Sequence, residues 1–178
     1  MRKIKCKLYN EPDYSLSAQQ QILYNRGIPI EKQEEWLNAG WGDMISYKEM
    51  HDPALNKIIE IIHRCVENNE SIIVNIDCDV DGYTSAAIFI NFMYHHYPEY
   101  TESSIKWIHH QDKQHGLFDI MDEIIEASPS VAFCADSSSN DIEQHKILAE
   151  HNIECVILDH HEVSIDTKDS PACIVNIQ

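Results

Sequence analysis

The sequence predicts an α/β fold: a doubly wound, mostly parallel sheet with flanking helices, preceded by a small helical N-terminal segment. Two observations carry that expectation. From residue 71 onward, short apolar runs alternate with helical patterns, the signature of βαβ units. Those runs are near-continuously apolar rather than alternating, as strands covered on both faces are. A third observation is the chemistry at the strand ends, where carboxylates and imidazoles gather.

The elements follow in chain order. Ser17 is placed to cap a helix that runs through Arg26 and ends at Gly27. Pro53 opens a second helix over residues 53–69, with Ile58, Ile59, Ile61, Ile62 and Val66 on a broad apolar face. Strands are expected at 71–76, 104–109, 130–135, 153–158 and 172–177, with helices at 83–96, 117–127 and 139–151. Residues 1–70 then form a helical lead-in packed on the domain of residues 71–178. Trp36, Trp41 and the tyrosines read as core, because no basic residues interleave with them as in a base-stacking platform.

Bulk properties narrow the classes. A chain of 178 residues, 43% hydrophobic, is long enough for one core. No apolar run of about 18 residues occurs, and no secretory signal pattern follows the basic start, so no membrane contact and a cytoplasmic location are expected. The six cysteines form no CxxC pair; they read as buried free thiols rather than a zinc site. The net charge of −17 opposes a phosphate-binding surface, unless some of the acids surround divalent cations and the local field inverts.

In doubly wound folds ligands bind outside the carboxyl ends of the strands. The first such end carries Asp77, Asp79 and Asp81; the second His109, His110 and then His115-Gly116; the third Asp136; the fourth Asp159, His160, His161 and Glu162. Carboxylate and imidazole suit Mn²⁺ or Mg²⁺. Two such ions neutralise crowded acids and favour displacement at phosphorus. A calcium loop is excluded, because its twelfth position would be Ile88 where a glutamate is needed. A P-loop is excluded because no GxxxxGK[ST] occurs. The blander readings are a solvated turn for the three aspartates, a helix cap for Asp136 and a surface pair for His160–His161. His95–His96 read as a helix end facing solvent, and a substrate contact by His110 is the weaker of its two readings.

The ordered set of motifs resembles the DHH phosphoesterase superfamily. Asp159-His160-His161 is the DHH triplet, and DCDVDGYTSAA (77–87) looks like the first motif in the form of RecJ-type single-strand-specific exonucleases. QHGL (114–117) resembles their second motif, CADSSSN (134–140) stands where they carry VDNGIS, and LYNRGIPIEKQEEWLN (23–38) and CIVNIQ (173–178) resemble the flanking segments. The resemblance implies Asp77, Asp79, Asp81, Asp136 and His160 as metal ligands, with Asp159 and His161 in the catalytic set. It implies two Mn²⁺ or Mg²⁺ ions, the second weakly held, because Asn75 stands where many relatives have histidine. Ser85, with the helix that opens beside it, and His115-Gly116 would meet substrate phosphate. The implied function is 5′→3′ digestion of single-stranded DNA or short oligonucleotides in DNA repair or recombination. Relatives of this type continue into further C-terminal domains, so a longer protein is implied. The alternatives are hydrolysis of short oligonucleotides, cyclic dinucleotides or pyrophosphate by the same chemistry, and a non-catalytic fragment or binding module. Ser138 replaces the usual glycine two residues after Asp136.

Overall fold

The computed structural model describes residues 11, 13–43, 46, 49–110 and 113–177. Cys6 and Gln178, named in the sequence reading, lie outside them. The chain divides into two compact units, residues 1–50 and 51–178.

The first unit holds α1 (Ala18–Asn25), α2 (Ile30–Leu37) and a 3₁₀ turn at Trp41–Asp43. Ser17 and Gln20 satisfy each other's backbone N–H groups in a capping box, and Gly27 leaves the helix at φ +83°. Trp36 stands 55% exposed, contrary to the core reading. The two short helices bury only Leu23 and Gln33 and offer no core to receive an indole.

The second unit begins with α3 (Pro53–Asn68), which the sequence reading grouped with the lead-in. Asp52 caps it and Pro53 occupies its first turn, where a missing N–H costs nothing. Then come β1 (Ile72–Ile76), α4 (Val80–His96), α5 (Pro98–Ser104), β2 (Ile105–His109), α6 (Met121–Ala127), β3 (Val131–Ala135), α7 (Ile142–Glu150), β4 (Glu154–Asp159) and β5 (Cys173–Asn176). Helix α5 was not foreseen; Pro98 opens it immediately after Tyr97 ends α4.

All five strands are parallel, in the order β2-β1-β3-β4-β5. The expected doubly wound class is therefore present, and the winding reverses at β1. One core lies between the sheet and α3, α4 and α5, with Val74, Phe133 and Val156 facing Ile61, Met93 and Tyr100. The other lies between the sheet and α6 and α7, with Ile73, Cys134 and Ile157 facing Ile124 and Leu148. Burying apolar side chains on both faces, at roughly 1.5–3 kcal/mol each, holds the strands and hence their ends in fixed register. Among the described residues no helix is long and apolar enough to cross a membrane.

Candidate metal centre

The register aligns the strand ends. Ile76 pairs with His109 and with Ala135, and Ala135 pairs with Leu158. The next residues, His110, Asp77, Asp136 and Asp159, therefore form one row along the carboxyl edge. Asn176, the register partner of Asp159, extends it. The crevice where the strand order reverses lies between β1 and β3, so Asp77 and Asp136 flank it.

Asp77 is fully buried. Its Oδ2 lies 2.5 Å from Nδ1 of His115, and its Oδ1 receives the Gly116 N–H at 3.4 Å. Gly82 makes this possible. A Cβ at residue 82 would overlap the Asp77 Cβ and backbone, so only glycine lets the first turn of α4 approach β1 so closely.

Helix α4 starts three residues earlier than predicted, and this changes the geometry of the aspartate run. Asp79 is its N-cap, with Oδ1 accepting from the N–H groups of Asp81 at 3.0 Å and Gly82 at 3.1 Å. The Gly82 N–H leads the causes that lower the Asp79 carboxyl below its usual range. Asp81 lies in the first helical turn, where successive side chains rotate by about 100° instead of alternating. It is exposed and belongs to none of the donor clusters found among the described residues. The alternation in sequence is therefore not one strand presenting three carboxylates.

Asp136 leaves β3 at φ +78° and is tied to β4 by its N–H on the Leu158 carbonyl at 2.7 Å. Its Oδ1 lies 2.8 Å from Nε2 of His160, while its buried Oδ2 has no hydrogen-bond partner. Burial, then the charge of Asp79, pushes its carboxyl up. Ser138, in the usual glycine position, adopts φ +82°. Helix α7 begins at Ile142, later than predicted, and neither Ser138 nor Ser139 caps it.

Asp159 is buried and accepts four hydrogen bonds: from Ser139 N–H at 2.9 Å, His160 N–H at 2.7 Å, His161 N–H at 3.0 Å and the His161 ring at 2.9 Å. Burial alone would raise its pKa. The His161 N–H and ring and the Ser139 groups outweigh burial and hold the carboxyl well below the usual range. In return, the hydrogen bond that the His161 ring donates to Asp159 raises the pKa of His161. Asp159 thus locks the loop that carries both imidazoles, and Asn176 adds bonds to Ser139 Oγ and the His161 carbonyl, each at 2.9 Å.

Among the described residues, three donor groups have ligand atoms within 4.8 Å of one another: Asp77, Asp79 and Asp136; Asp136, His160 and His161; and Asp77, Cys78 and His115. The first two share Asp136. Carboxylate oxygens, imidazoles and an unpartnered buried carboxylate oxygen fit a hard divalent cation, which would neutralise like charges packed this closely. The three residues assigned to substrate phosphate are each engaged with protein. Ser85 Oγ donates to the Gly82 carbonyl at 3.0 Å, and His115 and Gly116 meet Asp77.

His110 is the residue the sequence reading undervalued. Its buried side chain is held by Asp119 at Nδ1, 2.9 Å away, and its Nε2 faces Asp77 Oδ1 at 3.9 Å. Its position directly after a strand was the available signal. Asn75 is also buried; neither amide atom has a hydrogen-bond partner, and the Cys134 thiol lies beside it.

A family model, DHH family, N-terminal domain, matches residues 71–178. The SPbeta prophage protein YorK of Bacillus subtilis strain 168, named as a single-strand DNA-specific exonuclease, is 29% identical over 174 residues, covering 97% of this chain and 28% of that protein. The homonymous protein of Bacillus phage SPbeta matches equally. The chain thus spans little more than a quarter of the length of these relatives. Among solved structures, exonuclease RecJ bound to manganese superposes with a TM-score of 0.59 at 18% identity, covering 69% of this chain and 31% of that one. RecJ from Thermus thermophilus in complex with Mn²⁺ gives 0.55 at 18% identity, covering 70% and 17%. These likenesses show the fold.

Proposed function

The chain belongs to the DHH family through its N-terminal domain, and on that premise we propose that its strand ends form a Mn²⁺- or Mg²⁺-dependent phosphodiesterase centre acting on single-stranded DNA or short oligonucleotides. One observation carries the reading. Asp77 and Asp79 from the end of β1, Asp136 from β3 and His160 from β4 meet at the point where the winding reverses, and the buried Asp136 Oδ2 there has no partner. The names of the prophage and phage relatives supply the substrate class.

Asp77, Asp79 and Asp136 would hold one cation; Asp136 and His160, with His161 beside them, would hold a second. When bound, the cations supply Lewis acidity at phosphorus and lower the pKa of an attacking water. The protein's own groups do the rest. Asp159 fixes the His160–His161 loop through four hydrogen bonds, so neither imidazole must be ordered during reaction. His161, its proton affinity raised by Asp159, faces the crevice half-exposed and donates to a phosphate oxygen, offsetting charge that develops there. The cations also answer the charge problem. An acidic chain accepts an anionic strand where its carboxylates are already neutralised.

The test is digestion of single-stranded DNA labelled at either end, with Mn²⁺, Mg²⁺ or chelator, beside cyclic dinucleotide and pyrophosphate. Mn²⁺-dependent release of nucleotides from the 5′ end is expected, with loss in Asp79→Ala and His160→Ala. Cleavage of cyclic dinucleotide or pyrophosphate in place of the strand would move the substrate class. Absence of Mn²⁺ binding by calorimetry would end the reading.

A further inference from the structure

Beside the carboxylate cluster stands a donor group of different chemistry. Cys78 Sγ lies 3.7 Å from Nδ1 and 3.6 Å from Nε2 of His115, whose ring also meets Asp77. Sulfur, nitrogen and oxygen donors here all lie within 4.8 Å of one another. The other described cysteines, Cys65, Cys134, Cys155 and Cys173, are buried in the core; Cys78 is partly exposed at the crevice.

We propose that Cys78, His115 and Asp77 form a binding site for a thiophilic divalent cation of the zinc class, which shares Asp77 with the Asp77–Asp79–Asp136 group and no residue with the Asp136–His160–His161 group. The donor set is the first reason. Thiolate and imidazole favour Zn²⁺, whereas Mn²⁺ and Mg²⁺ favour oxygen. Spacing is the second. Sulfur about 2.3 Å and nitrogen about 2.05 Å from a zinc ion at the tetrahedral angle stand about 3.6 Å apart; Cys78 Sγ lies 3.6–3.7 Å from both ring nitrogens, so thiol and imidazole are within reach of one ion once the ring turns away from its hydrogen bond with Asp77. On binding, the Cys78 thiol releases its proton to solvent. The Asp77–His115 hydrogen bond gives way to shared coordination as the half-exposed ring turns. With three protein donors, the fourth tetrahedral position stays open to water or an anionic ligand. Asp77 belongs to this group and to the Asp79–Asp136 cluster, so zinc here weakens Mn²⁺ there and inhibits. That consequence rests on the proposed function; the site itself does not.

The test uses Co²⁺ as a spectroscopic substitute for Zn²⁺ on the metal-free protein. The expected result is a sulfur-to-cobalt charge-transfer band in the near ultraviolet, bleached by Zn²⁺, lost in Cys78→Ser and kept in Cys6→Ser. By calorimetry Cys78→Ser weakens Zn²⁺ by about tenfold or more, as loss of groups that support a metal typically does, and leaves Mn²⁺ within about twofold. A band that persists in Cys78→Ser, or Co²⁺ binding without a band in the unaltered protein, overturns the proposal. Mn²⁺ binding with no band sinks this site alone; a band without Mn²⁺ binding sinks the proposed function and leaves the site standing.

Discussion

Replacing Asp159 by asparagine changes almost no volume but breaks the anchor of the histidine loop. In the unaltered protein one oxygen takes the Ser139 N–H while the other takes the N–H groups of His160 and His161 and the His161 ring. An asparagine must turn its NH₂ toward one of these sets, setting donor against donor. At least one buried N–H then loses its acceptor, at about 1–3 kcal/mol, and the remaining bonds lose the extra strength that charge gave them. The expected cost is about 2–4 kcal/mol, or a Tm lower by roughly 4–16 °C for a chain of this size. Its pH dependence has a definite sign. The folded carboxyl has a pKa below its unfolded value, so the stabilisation is fully present above the unfolded pKa of about 3.9 and is lost as pH falls through the lower, folded one. The difference in Tm between the two proteins should be largest between the unfolded carboxyl pKa and the ordinary His value of about 6.5, shrinking in acid and shrinking again as pH rises through the raised His161 pKa. Thermal unfolding followed by circular dichroism reads the first effect. Proton NMR of the metal-free protein reads a second: the His161 pKa should fall toward its ordinary value once its carboxylate partner is neutral. Equal Tm values at neutral pH, with an unmoved His161, would refute the reasoning.

Three further outcomes are expected. Gly82→Ala forces a methyl group into the Asp77 backbone and should cost about 1–3 kcal/mol by overpacking while weakening Mn²⁺ binding, read by unfolding and calorimetry. Ser138→Gly should stabilise by roughly 0.5–1 kcal/mol, since relief of φ +82° outweighs the added freedom of the unfolded chain; a lower denaturant midpoint would contradict this. Mn²⁺ at about 100 times its Kd should stabilise the protein by about 2.7 kcal/mol, or roughly 5–11 °C, reversed by chelator and absent in Asp79→Ala.

Much of the fold was legible because its signals are local. Apolar runs such as 71–76 and 130–135 announced buried strands, and Ser17, Pro53 and Gly27 marked helix ends by the chemistry of a few neighbouring groups. The candidate site was legible for the same reason, since Asp77 and Asp136 each follow a strand directly and Asp159 ends one. Errors arose where local rules competed. Helix α4 was expected from residue 83 but opens at Val80, because Asp79 caps it, and Asp81 therefore sits in the first helical turn.

By itself, then, the sequence determined the five strands, most of the helices and which donor types stand at the strand ends, because these depend on residues a few positions apart. Only the tertiary structure decided which strand lies beside which. That order places β1 between β2 and β3, brings His110, Asp77, Asp136 and Asp159 into one row, and sets Cys78 against a histidine 37 positions away. Such pairings follow from packing two apolar faces against helices, a property of the whole sheet that no single segment encodes.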